Sequence, residues 1–81
     1  MMTKDQVFKE LKALGIPERD IENCATEECL RASLAGTIDR VLRGGKRKQA
    51  HAVLAQMEPD LFELGWQREF GDFPSGNYWI I

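Results

Sequence analysis

Apolar positions recur along the first 57 residues with helical spacing, and the polar residues between them supply starts and stops. Val7, Phe8, Leu11 and Leu14 fall within about 120° of one another at 100° per residue, a single apolar stripe. Thr3-Lys4-Asp5-Gln6 has the form of a capping box, with Thr3 as N-cap and Gln6 reaching back to it. Gly15 suits a left-handed C-cap that lets Ile16 fold back onto Leu11. The pattern predicts a first helix over residues 4–14. Pro17 opens a short second helix over residues 17–24, its first turns enriched in acid by Glu18, Asp20 and Glu22.

Thr26 with Glu27 and Glu28 reads as the next N-terminus, and Leu30, Leu34, Ile38, Val41 and Leu42 follow on one face, giving a helix over residues 27–43. Gly36 inside it costs about 1 kcal/mol against alanine, which several buried aliphatics offset. Gly44-Gly45 ends that helix. A fourth, over residues 46–57, carries Ala50, Val53, Leu54 and Met57 on one side, and Pro59 redirects the chain into a turn over residues 60–64 closed by Gly65.

After Gly65 the pattern reads as alternation. Trp66-Gln67-Arg68-Glu69-Phe70 is expected as a strand, residues 71–77 are dense in turn formers, and Tyr78-Trp79-Ile80-Ile81 is expected as the return strand. A two-stranded ribbon is not stable alone and must lie against the helices or a partner. The expected fold is therefore α+β and mostly α, three to four short helices followed by a C-terminal β-hairpin over residues 66–81. That order resembles the layout of a winged-helix domain, with the hairpin as the wing; the likeness is architectural and no family motif accompanies it.

With 81 residues the chain is expected to form one small domain. A hydrophobic content of 43% and a charged content of 30% exclude a disordered composition. The longest apolar runs are four residues, so no membrane partner is expected, and the N-terminus lacks the apolar stretch of a secretory signal. Two cysteines do not make a disulfide framework, and a cytoplasmic location with reduced thiols is the expectation.

Charge is unevenly spread. Residues 1–39 carry five positive and eight negative groups, and residues 49–81 set Arg68 alone against five acids. Between them, residues 40–48 hold Arg40, Arg43, Lys46, Arg47 and Lys48 with no acid. Arg40 and Arg43 in the last turns of a helix suit its dipole, whereas Lys46, Arg47 and Lys48 at the start of the next do not. Cations placed against local preference point to an anionic partner, either phosphate or an acidic surface; a solvated loop kept soluble by its charges is the plainer reading. Gly-Gly-Lys-Arg-Lys lacks P-loop spacing and a preceding strand, so nucleotide hydrolysis is not indicated. A pI of about 5.3 also argues against a dedicated nucleic-acid binder.

The aromatics form a second candidate site. Trp66, Phe70, Phe73, Tyr78 and Trp79 crowd the expected ribbon and could anchor a protein partner, or could simply cap the core. Catalysis is poorly supplied. His51 has no evident orienting group, Cys24, Cys29 and His51 fall one ligand short of a zinc set, and no cofactor is expected. The reading that follows is a small non-enzymatic protein occupying a surface of a larger macromolecular partner, in the manner of phage or mobile-element accessory factors and inhibitors. The alternative is a winged-helix-type DNA-binding regulator, acting as a homodimer, that sets residues 40–48 on phosphates.

Overall fold

A computed structural model describes residues 1–71 as five helices: α1 (Lys4–Leu14), α2 (Glu18–Ala25), α3 (Leu30–Val41), α4 (Gly44–Ala55) and α5 (Leu61–Phe70). In α1 the capping box forms, Gln6 N–H donating to Thr3 Oγ1 at 3.2 Å and Thr3 N–H to Gln6 Oε1 at 2.9 Å. The helix stops at Gly15, whose φ of 119° only glycine adopts freely, and Ile16 N–H returns to Leu11 O at 3.1 Å. Ile16 is thereby driven into the core.

Thr26 closes α2 rather than opening α3: its hydroxyl donates to Asn23 O at 2.9 Å. The third helix accordingly begins at Leu30, not at residue 27. Gly44 and Gly45 form the first turn of α4 rather than a loop before it, with Gly44 at φ 59°. A sharp junction of Leu42 and Arg43 is all that separates α3 from α4.

α4 packs on α1 and α3, and α2 packs on α3. The core they enclose is led by the fully buried Val7, Leu11, Leu34, Ala35, Ile38 and Ala50, with Ile21, Leu30, Leu54 and Met57 around them. Met2 lies beside the connector that follows α4. Its N–H donates to Gln56 O at 2.7 Å, and Glu58 N–H donates to Met2 O at 2.8 Å, an isolated parallel bridge that ties the start of the chain to the α4–α5 junction.

The expected α+β class with a C-terminal hairpin is overturned, and the winged-helix likeness with it, because no strand occurs among the described residues and Trp66–Phe70 is helical. Asp60 is the N-cap of α5, its Oδ1 accepting from Glu63 N–H at 2.9 Å, and the helix runs through Gly65 to Gly71, where φ is 92°. Spacing explains the correction. Trp66 and Phe70, four apart, share a side under a period of two and under a period of 3.6 alike, and Phe62 one turn earlier belongs to the same helical row. The return strand over residues 78–81, with Phe73, Tyr78 and Trp79, lies outside the described residues. No helix among the described residues is long and apolar enough to cross a membrane.

Candidate functional site

α5 is attached to the core by a charge. Of its ten residues only Glu63 is buried, and it meets Arg31 of α3. Arg31 heads the apolar row of α3 that continues through Leu34, Ala35 and Ile38. Its Nε donates to both Glu63 carboxylate oxygens at 3.1 Å, Nη1 to Leu54 O, and Nη2 to Met57 O at 2.8 Å. One guanidinium thus caps the end of α4 and clamps α5, which satisfies both buried charges. Burial pushes the Glu63 carboxyl up, with Arg31 pulling the other way. Neither residue was singled out in the sequence; the available signal was a cation standing in an apolar helical row.

Glu63 apart, α5 leaves several of its apolar groups exposed. Leu61 is 87% exposed and Phe70 68%, and Leu64 and Phe62 are partly exposed. Phe62, Trp66 and Phe70 stack along the helix, with ring centroids 6.3 Å and 4.8 Å apart. These rings, Leu61 and Glu69 line a shallow groove of about 280 Å³ with Gly65 among its walls. Trp66 and Phe70 therefore do belong to one aromatic surface, carried by a helix.

The cations of the basic segment take different partners. Arg43 folds back over the end of α3, its Nη1 donating to Asp39 O, Arg40 O and Leu42 O at 2.9–3.1 Å. Arg47 Nε donates to Asp39 Oδ1 at 2.7 Å, and the buried His51 places Nε2 2.7 Å from the same oxygen. Arg40 turns toward α2, with one long hydrogen bond to Thr37 Oγ1 at 3.5 Å. Lys46 and Lys48 are exposed and form no hydrogen bond or ion pair among the described residues. They flank the N-terminus of α4, which has no side-chain cap and no acid in its first turn.

Asp39 gives this corner a pH dependence. Burial works against its charge, but the hydrogen bonds from Arg47 and His51 outweigh it and hold the carboxyl below the usual aspartate range. A carboxylate with a depressed folded-state pKa stabilises the fold above the unfolded-state value near about pH 4, and that stabilisation is lost as pH falls through the folded value. Asp39→Asn is expected to lower stability at pH 7 by about 0.5–1 kcal/mol, the range for partly exposed pairs. The difference from wild type should shrink below about pH 4 in thermal melts followed by circular dichroism; a difference that persists unchanged to about pH 2 would remove the charge from the explanation.

The cysteines and the histidine are engaged separately. Cys24 Sγ lies 3.2 Å from Thr37 Oγ1, His51 is held by Asp39, and burial, with the Glu63 and Asp60 carboxylates, pushes the Cys29 thiol up. A raised thiol pKa opposes nucleophilic use of Cys29. Among the described residues no three His, Cys, Asp or Glu side chains gather around a common metal position. No protein-family model, curated protein or solved structure matches the chain.

Proposed function

We propose that the protein is a small non-enzymatic binding module, acting in the cytoplasm as an accessory factor, that docks a protein partner on the exposed apolar residues of α5. The observation that carries this reading is that α5 buries Glu63 alone while exposing Leu61, Leu64 and Phe70. On a helix joined to its own core through an ion pair, exposed Leu61, Leu64 and Phe70 are aliphatic and aromatic side chains of the kind that usually anchor binding energy. The surroundings set the partner's chemistry. Glu58 and Glu69 are exposed, and Asp60 is partly so, against Arg68 as the single cation of α5. A partner segment with apolar residues flanked by lysine or arginine matches that balance.

A second reading rests on Lys46 and Lys48, which are exposed and unpaired among the described residues beside the uncapped start of α4. They suit an anionic partner such as a nucleic-acid backbone. One experiment separates the two. A partner captured by cross-linking is titrated against wild type, Leu61→Glu, and the double variant Lys46→Glu/Lys48→Glu. The α5 reading expects the Leu61 variant to weaken binding by at least about 30-fold, equivalent to about 2 kcal/mol, with an unchanged melting temperature. It expects the double variant to stay within about threefold of wild type. The reverse pattern would overturn it in favour of the basic site.

A further inference from the structure

A second cleft, of about 270 Å³, opens between α2 and α3. The inner rows of both helices are buried, Ile21 and Cys24 on one and Leu34 and Ile38 on the other, as a helix seam requires. The outer rows are polar on both sides. Asp20 and Asn23 of α2, with Glu27 from the bend that follows it, line one wall, and Ser33, Thr37 and Arg40, spaced four and three along one face of α3, line the other. At the floor the buried Thr37 hydroxyl meets the buried Cys24 thiol.

The charges around this cleft do not neutralise one another. Arg40 shares it with two carboxylates yet forms an ion pair with neither, and its single hydrogen bond is the long one to Thr37. Asp20 and Glu27 likewise form no ion pair among the described residues. Opposite charges that line one polar cleft without pairing match a guest that carries both signs. We propose that the α2–α3 cleft binds a basic amino-acid group, its carboxylate on Arg40 and its cationic groups on Asp20 and Glu27. Two negative charges and one positive are complemented by a molecule with two cationic groups and one anionic group, as in free L-arginine. The C-terminal residue of a peptide ending in arginine offers the same carboxylate and side-chain cation. The site is separate from the α5 face and independent of that reading.

The test is a titration of the ¹⁵N-labelled protein with L-arginine, followed by amide chemical shifts. Saturable shifts are expected at α2 and α3 amides around Asn23, Ser33 and Thr37, with millimolar affinity because exposed ion pairs are individually weak. Agmatine, which lacks the carboxylate, is expected to bind at least about tenfold more weakly. Arg40→Gln is expected to weaken arginine binding by a similar factor without altering the core amide spectrum, and Asp20→Asn serves as a second, opposite-charge variant. Acetyl-Gly-Arg, without the free α-ammonium, separates the two sources: comparable binding assigns the site to a peptide C-terminus, and loss of binding to the free amino acid. The proposal is overturned if neither arginine probe gives saturable shifts up to about 50 mM, if agmatine binds as tightly as arginine, or if both variants bind like wild type.

Discussion

Arg31→Ala is expected to be the most damaging single substitution among the charged residues, lowering stability by about 3–5 kcal/mol. It would strand the Glu63 carboxylate, now 4% exposed, without its partner, and leave Leu54 O and Met57 O without the guanidinium at the end of α4. For a domain of this size such a loss is a large fraction of the whole stability and moves the thermal midpoint by about 4–8 °C per kcal/mol. Glu63→Gln should be milder, because burial opposes the carboxylate charge while an amide oxygen can still accept from Arg31. Thermal melts of the two variants side by side check the prediction; equal losses would show that the hydrogen-bond geometry of Arg31 contributes little.

Leu34→Ala should cost about 3 kcal/mol by a different route. Leu34 is fully buried at the middle of α3, between the α2 and α4 contacts, so truncation removes apolar contacts and opens a cavity that packed helices refill only partly. The two losses should be distinguishable in hydrogen exchange. Leu34→Ala is expected to raise exchange across α1 to α4 together, since the cavity lies in the shared core, whereas Arg31→Ala should expose the α5 amides first. Uniform exchange in both variants would mean that α5 unfolds only with the core.

Where local chemistry decides the backbone, the sequence was readable. The α1 start and stop are written in Thr3, Gln6 and Gly15, and the same hydrogen bonds form in the structure. Elsewhere one local signal fits two outcomes. Thr26 could cap the following helix or close the preceding one, and its hydroxyl takes the Asn23 carbonyl. The Trp66–Phe70 spacing fits strand or helix, and Pro59 and Gly65 made the segment look punctuated, while the Asp60 cap and the Phe62 row favour the helix that is seen. The partners of the basic segment were not legible for another reason. Neighbours in sequence radiate from a helix junction in three dimensions, so Arg43 and Arg47 satisfy carbonyls and Asp39 while Lys46 and Lys48 stay exposed. Arg31 and Glu63, 32 residues apart, illustrate the limit: nothing local announces which acid a buried cation will find.

The pairing of Met2 with Gln56 and Glu58 bears on how the chain comes together during synthesis. That bridge closes a loop containing the first four helices, and it cannot form until Glu58 has left the ribosome. The α2–α3 hairpin needs only nearby partners and is free to assemble earlier, while α1 must wait for α4 to complete its packing. A nascent chain stalled short of residue 58 should therefore hold a folded α2–α3 pair and a protease-sensitive N-terminal segment, and release of a few further residues should protect both ends at once.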